Sequence, residues 1–280
     1  MTIENTIPDE FIVAQAKLAL LEDLGSQDLT ADLIPINTLA NASIITRENA
    51  TLCGQAWLEQ VFKQLDPAIM IDWFFNDGEQ MQANDVICTL HGPARTLLTG
   101  ERTAMNFIQT LSATATLARQ YTDLVTGLAV QILDTRKTIP GLRTAQKYAV
   151  RCGGGYNHRM GLYDGILIKE NHINAAGSIA AAVEQARQLH PEIAIEVEVE
   201  NFEELAQALM AKTDIILLDN FDIAALIKAV SLNQGRAKLE ASGGITFNNV
   251  RAIAETGVDR ISIGAITKDI RAIDLSMRFI

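Results

Sequence analysis

AIEVEVENFEELAQALMAKTDIILLD, residues 194–219, decides the fold. It opens on a run rich in Ile and Val, passes through the amphipathic stretch FEELAQALM, and closes on a second apolar run, DIILLD. The same strand-then-helix texture continues on both sides. VQILDT, DGILIK, AKLEAS and DRISIG read as further strands, and LRTAQKYAV, IAAAVEQARQL, IAALIKAV and NNVRAIAET read as helices between them. Near-continuous apolar strands alternating with amphipathic helices predict a parallel sheet covered by helices, an α/β architecture. Six such strands predict an incomplete, open α/β barrel, because full eightfold closure requires more.

Toward the amino end this regular alternation is lost. Residues 10–22 (EFIVAQAKLALLE) predict an opening helix, and DLGSQDLTADLIP has the Gly, Asp and Pro content of a loop. ASIITRE, ATLCGQAW, IMIDWFFND and DVICTLHG are β-rich, with the helical pattern LEQVFKQL set among them. Strands and helices mixed without a βα repeat predict an α+β domain, placed over residues 1–112. From about Thr96 a long helical pattern begins, with Leu97, Leu98, Ala104, Met105, Ile108 and Leu111 on one side at 3.6-residue spacing. Glu101 falls within that apolar arc and needs a partner if buried. Arg102, Asn106 and Gln109 share the adjacent polar side, where Arg102 taken alone reads as a solvated helix arginine. The barrel is placed over residues 113–267, and the tail, residues 268–280, reads as a strand or short helix packing back on the first domain.

Composition bounds the function. A chain of 280 residues with 48% hydrophobic content is long and apolar enough for a real core. No apolar run approaches the length that spans a bilayer, and the start, MTIENTIPDE, lacks the basic-then-apolar pattern of a signal peptide, so a cytoplasmic protein is expected. Cys53, Cys88 and Cys152 are odd in number and lack metal-ligand spacing, which predicts buried free thiols and no zinc site. A net charge of −11 argues against nucleic acid and anionic membrane as partners.

Against that acidic background one stretch is basic. Within Asp134–His172, DTRKTIPGLRTAQKYAVRCGGGYNHRMGLYDGILIKENH, the cations Arg136, Lys137, Arg143, Lys147, Arg151, Arg159 and Lys169 are offset between Arg136 and Lys169 only by Asp164. A cationic island in an acidic protein predicts a concave site for a small polyanion, since a spread basic face for nucleic acid would also raise the overall charge. Arg136 and Lys137, Lys169, Glu198, Asp219, Ser242-Gly243-Gly244 and Gly264 each close a strand, where parallel α/β sheets place their ligands. The last two strand ends, ASGGIT and ISIGAIT, are glycine-bearing and predict a phosphate seat of exposed backbone N–H groups. Gly153-Gly154-Gly155 instead reads as the stop of the helix LRTAQKYAVRC. Glu198 and Asp219 on neighbouring strands suit Mg²⁺ held together with substrate phosphates. Glu196, Glu198 and Glu200 alternate along one strand face, and three inward acids would repel unless lysines or a metal neutralise them. Arg136 and Arg159 predict a ligand with planar anionic groups. His158 could orient a carboxylate or serve as an acid, while His91, His172 and His190 read as structural donors.

ERTAMNF, DTRKTIPGLR, GGGYNHRMGLYDGILIKENH, EVEVEN, LLDNF, EASGGI and ISIGA occur in an order that resembles, across essentially the whole chain, the nicotinate-nucleotide pyrophosphorylase family, also called quinolinate phosphoribosyltransferase. The resemblance implies an N-terminal α/β sandwich, an open barrel, and a homodimer in which the first domain of one subunit caps the barrel of the other. It implies conversion of quinolinate and 5-phosphoribosyl 1-diphosphate into nicotinate mononucleotide, diphosphate and CO₂, with Mg²⁺. By matching position, Arg102 would reach the partner's site, which replaces its solvated reading. Thr135, Arg136, Lys137, His158, Arg159 and Lys169 would bind the dicarboxylate, with Lys169 or His158 as candidate proton donors. Glu198 and Asp219 would meet the ribose hydroxyls and metal. Ser242, Gly243, Gly244, Ile263, Gly264 and Ala265 would form the 5′-phosphate seat. Three alternatives stand beside this reading: a related phosphoribosyltransferase-like protein of molybdenum transport loci, a Schiff-base enzyme built on Lys169, and a non-catalytic phosphate-binding module.

Overall fold

The computed structural model describes residues 7–280, so the first six residues of the start MTIENTIPDE lie outside it. The chain divides into two units, each with its own sheet. The first holds the chain up to Arg119 together with Thr144–Gly154 and Asp269–Ile280. In chain order it contains α1 (Asp9–Leu24), β1 (Leu39–Thr46), β2 (Ala50–Thr51), α2 (Gln55–Leu65), β3 (Met70–Trp73), β4 (Gln80–Met81) and β5 (Val86–Pro93). Next come α3 (Ala94–Leu124), of which the part through Arg119 belongs to this unit, and α4 (Arg143–Cys152), which belongs to it from Thr144 onward. Its main sheet is antiparallel, with β1 at the centre between β5 and the carboxy-terminal strand Leu275–Phe279, and β3 outside β5. Ala42, Ile44 and Thr46 bury the inner face of β1 at the two-residue spacing of a pleated strand. The helix α2 buries Trp57, Leu58, Val61 and Phe62 on one stripe.

Along α3 the residues Leu97, Ala104, Met105, Ile108 and Leu111 are all buried. Leu98 is not, being 37% exposed, because its place next to Leu97 turns it a further 100° or so round the helix, onto the border of the stripe. The helix α4 corrects the expectation of one continuous cationic island. Lys147 is buried, and Arg151 lies over the Tyr148 ring at 5.7 Å from its centroid. Gly154 adopts a left-handed φ of +83° after α4, the helix stop its sequence predicts. Gly153 carries a second requirement: a Cβ there would lie 2.4 Å from the Ala115 carbonyl oxygen, so α3 and α4 approach at a spacing that only glycine permits. Cys53, Cys88 and Cys152 are buried free thiols.

The second unit, Gln120–Arg143 and Gly155–Lys268, carries the parallel sheet. Its strands are β6 (Gln131–Leu133), β7 (Ile166–Ile168), β8 (Ile195–Val199), β9 (Ile215–Asp219), β10 (Lys238–Ser242) and β11 (Arg260–Ser262). The helices are α5 (Glu170–Ala176), α6 (Ile179–Leu189), α7 (Phe202–Met210), α8 (Ile223–Asn233), α9 (Val250–Ala254) and α10 (Ala265–Lys268); the strand Leu275–Phe279 is then β12. Strand order is β7-β8-β9-β10-β11-β6, so sequence neighbours pair except β6 and β7, and β11 returns to β6. The arrangement is an open barrel with its gap between β6 and β7. In that gap Leu133 forms an isolated parallel bridge to Tyr156. Buried Val197 and Val199, Ile216 and Leu218, and Leu239 and Ala241 form the tightly packed interior of the sheet. Helix starts are fixed by caps: Ser178 accepts from Ala181 N–H at 3.1 Å, Asn201 from Glu204 N–H at 3.0 Å, and Asp222 from Ala225 N–H at 2.8 Å. Among the described residues no helix is long and apolar enough to cross a membrane.

Candidate active site

The carboxyl ends of β6 to β11 surround a cleft of about 270 Å³. It is lined by Thr135, Arg136, Lys137, His158, Arg159, Lys169, Glu198, Asp219 and Ser242, all anticipated from the sequence, and by Leu167, Leu217 and Ser262, which were not. Leu167 and Leu217 lie within β7 and β9, where an apolar strand residue gives no signal of which face it occupies. Ser262 ends β11 as Ser242 ends β10, and that parallel position could have identified it.

Each side chain is placed by a local device. After β6 the buried Asp134 accepts the His158 N–H at 2.9 Å through Oδ1 and the Asn157 amide at 2.6 Å through Oδ2, fastening residues 157–159 beside the strand end. Thr135 Oγ1 accepts the Lys137 N–H at 3.1 Å, and Thr267 donates its hydroxyl to the Lys137 carbonyl at 2.7 Å. Gly264 lies against this turn, where a Cβ would stand 3.0 Å from Lys137 Cδ and 3.6 Å from Thr135 Oγ1. Arg143, counted within the cationic island, is structural: it donates to Thr138 Oγ1 at 3.2 Å and to the Met160 carbonyl at 3.3 Å. Of the seven cations, Arg136, Lys137, Arg159 and Lys169 line the cleft.

These cations are held in readiness for an anion. Arg136 Nε is buried without a hydrogen-bond partner. Burial depresses the basicity of Arg159, and so does the positive charge of Arg136 beside it. Glu196 and Asp164 offset that charge only in part, and a planar dicarboxylate would offset it further by accepting forked N–H groups of both guanidiniums. Opposite them, Lys169 Nζ is ion-paired with Glu198 Oε2. Burial raises the Asp219 pKa above the ordinary carboxyl range, and the charge of Glu198 raises it further. Two hard carboxylates on adjacent strands, one destabilised by the other, fit a divalent cation shared with substrate oxygens.

Beneath the cleft, toward the amino ends of the strands, lies a second cavity of about 380 Å³ lined in part by Glu196 and Arg260; His158 and Arg159 border both spaces. His158 Nε2 is 3.0 Å from Glu196 and 3.4 Å from Glu240, and Arg260 Nε is 3.3 Å from Glu240. Burial opposes a charge on His158, yet its hydrogen bonds to Glu196 and Glu240 and their charges push it up to about 9. Its Nδ1 accepts the Arg159 backbone N–H at 2.8 Å, a contact that favours the neutral ring. The two buried carboxylates favour the charged ring, and the Arg159 N–H favours the neutral Nε2–H form. The expected three inward acids of β8 are therefore not equivalent. Glu196 pairs with His158, Glu198 faces the cleft, and Glu200 is exposed beyond the strand end.

The remaining anticipated positions do not line the cleft. Ile263 is buried and donates its N–H to the Leu133 carbonyl at 2.9 Å. Ala265 opens α10. Gly243 and Gly244 follow Ser242 with φ of +92° and +61°, and open space surrounds the Cβ direction of Gly244. Arg102 is an exposed residue of α3 in the first unit.

Comparison with known proteins agrees with this geometry. Residues 28–112 match the quinolinate phosphoribosyl transferase N-terminal domain, and residues 114–278 match the quinolinate phosphoribosyl transferase C-terminal domain. The chain is 43% identical over 258 residues to a probable nicotinate-nucleotide pyrophosphorylase [carboxylating] of Bacillus subtilis, covering 92% of this chain and 89% of that one. It is 39% identical to the nicotinate-nucleotide pyrophosphorylase [carboxylating] of Mycobacterium leprae, covering 92% and 94%. The solved structure of the nicotinate-nucleotide pyrophosphorylase from Francisella tularensis superposes with a TM-score of 0.96 at 49% identity, over 99% of this chain and 98% of that one. With both of its domain types present in order and relatives this similar over nearly their full length, the chain belongs to the quinolinate phosphoribosyltransferase family.

Proposed function

We propose that this protein transfers the phosphoribosyl group of 5-phosphoribosyl 1-diphosphate to the ring nitrogen of quinolinate and decarboxylates the product, giving nicotinate mononucleotide, diphosphate and CO₂. The observation that carries this reading is the pairing, around one cleft, of Arg136 and Arg159 with Glu198 and Asp219. The guanidiniums, with Lys137 and His158, hold the two carboxylates of quinolinate so that its nitrogen faces the anomeric carbon. Holding two reactants in register removes about 7–11 kcal/mol of the barrier. The C–O bond to diphosphate breaks as the C–N bond forms, and the positive charge gathering on the ribosyl ring is stabilised by Glu198 and Asp219. The pyridine nitrogen is then a quaternary cation. Its positive charge stabilises the electron pair that stays on the adjacent carbon when CO₂ departs, and a proton taken up at that carbon completes the product. Lys169 and His158 both face the cleft and are the candidate donors.

Glu198 and Asp219 would hold Mg²⁺ together with donor oxygens, and the ion when bound offsets charge on the departing diphosphate. The 5′-phosphate would be received by the backbone of Ser242–Gly244 and of Ile263, Gly264 and Ala265. The protein would act in the cytoplasm as a homodimer with Arg102 reaching into the partner's cleft. The exposure of Arg102 and of the apolar Leu18, Leu21, Leu29 and Leu33 in the first unit supports that assembly. A Schiff-base role for Lys169 is disfavoured because its amine is engaged by Glu198.

The test is formation of nicotinate mononucleotide with loss of quinolinate, dependent on the phosphoribosyl donor and on Mg²⁺. Binding of both compounds without product would favour a phosphate-binding module, and no turnover of quinolinate would favour the relative from molybdenum transport loci. Mixing Arg102→Ala subunits with subunits inactivated at Lys169 should restore partial activity; absence of rescue in verified heterodimers would place Arg102 in its own chain's site.

A further inference from the structure

Asn220 lies immediately after Asp219, within the LLDNF block, and was assigned no role from the sequence. Its φ is +57°, one of four non-glycine residues with positive φ among those described. That left-handed conformation is uncommon outside glycine, though asparagine tolerates it better than most. Here it turns the chain so that three connections are made at once. The side-chain amide donates to Asp219 Oδ2 at 2.9 Å. The backbone N–H donates to the Ser242 carbonyl at 2.9 Å, continuing the β9–β10 pairing by one residue past Asp219 and Ser242. Its carboxamide also fills the space where a side chain at 243 would be, since a Cβ on Gly243 would stand 2.1 Å from Asn220 Oδ1 and 2.7 Å from its Cγ. The glycine at 243 is thus required by Asn220 as much as by any phosphate.

We propose that Asn220 is a positioning residue that ties the Asp219 carboxylate to the Ser242–Gly244 turn, so that the group facing the ribose and the loop receiving the phosphate move as one body. The inference rests on the reaction proposed above. The amide hands Asp219 a hydrogen bond and so limits how its carboxylate can turn. It also fixes Oδ2, leaving Oδ1 to address the ligand. Quinolinate recognition by Arg136 and Arg159 lies on other elements and does not pass through Asn220.

Two variants separate this role from a merely structural one. Asn220→Gly keeps the left-handed backbone without strain and removes the amide. Asn220→Asp keeps the shape and places a second carboxylate against Asp219. For both, kcat should fall roughly ten- to a hundredfold with a raised KM for the phosphoribosyl donor, as is usual when a group orienting a reacting side chain is lost. Calorimetric affinity for quinolinate alone should stay at the wild-type value. Wild-type kcat and donor KM in both variants would overturn the role of Asn220 while leaving the reaction standing. A wild-type protein that makes no nicotinate mononucleotide would overturn the reaction, and this role with it.

Discussion

The rim of the barrel and the layer beneath it are built from the same strand. Glu198 and Glu196 are two residues apart on β8 and face the same way, yet they meet opposite conditions. At the rim, Lys169 and Glu198 are paired with side chains 45% and 17% exposed, and Arg136 Nε has no partner. Below, Glu240 is wholly buried between His158 and Arg260, and Glu196 holds the other side of His158 at 5% exposure. Depth decides what a charge can do. A rim pair, still reached by water, can exchange its partner for a ligand at small cost, whereas a buried one must keep its partner because solvation has been lost. The lower layer thereby fixes His158, which borders both cavities, and the upper layer is left free to bind.

The hardest blow to this contrast would be struck at Glu240. Glu240→Ala leaves the His158 ring and the guanidinium of Arg260 without their shared carboxylate. Removing one partner of such a buried set should cost about 3–5 kcal/mol in urea unfolding. A loss below about 1 kcal/mol, the scale of an exposed pair, would remove the distinction between the layers.

At the rim the pattern should invert. Arg136→Ala and Arg159→Ala each delete charge-assisted hydrogen bonds to quinolinate, worth about 1.5–3 kcal/mol apiece, so binding should weaken by one to two orders of magnitude or so and turnover should collapse. Stability should be unchanged or slightly higher in Arg136→Ala, whose charge adds to the burial that depresses Arg159, whereas Arg159→Ala also loses its 3.1 Å bond to the Gly165 carbonyl and should cost about 0.5–1.5 kcal/mol. Calorimetry paired with thermal unfolding decides it. Near-normal quinolinate affinity in both variants would count against the assignment of the basic cluster.

Much of this rim could be read from the sequence, and little of the layer below. Strands buried on both faces appear as apolar runs, so ILD, ILIK, EVEV, ILLD, LEAS and ISIG reveal a parallel sheet, and the residues that close them mark its carboxyl edge. The partners of His158 are invisible in that way. Glu196 and Glu240 come from β8 and β10, and the spacing of neither predicts a common histidine. Linear charge counting also misplaced Lys147 and Arg151, because an amphipathic helix can carry cations into a separate unit from the loops on either side of it. Asn220 was missed for a third reason: backbone conformation is not written in residue type, and an asparagine after a strand reads equally as a turn, a cap or a solvated loop.

A smaller effect than the Glu240 substitution is expected from pH, since deprotonating His158 removes its charge but keeps the Nε2–H bond to Glu196. The folded-state pKa is raised from the ordinary 6.5 to about 9, so the stabilisation is fully present below 6.5 and is lost as pH rises through about 9. The urea midpoint of the wild type should decline across that window relative to His158→Gln. Parallel curves would show that the ring is neutral throughout and that the Arg159 N–H at Nδ1 sets its state.

The smallest effect belongs to the third acid of the series. Glu200 continues the alternation of Glu196 and Glu198 but stands past the end of β8, exposed, with its backbone N–H donating to Glu204 Oε2 at 2.8 Å. That bond survives any change of side chain at 200. Glu200→Gln should therefore shift stability by no more than about 0.5 kcal/mol and leave both substrate affinities as they are. Strand periodicity alone would predict otherwise, since it places all three glutamates on one face. If Glu200→Gln slowed the chemical step as Glu198→Gln does, the face of the strand would govern function and depth would not; if it is silent, the working part of β8 is confined to the one glutamate that is both inward and within reach of solvent.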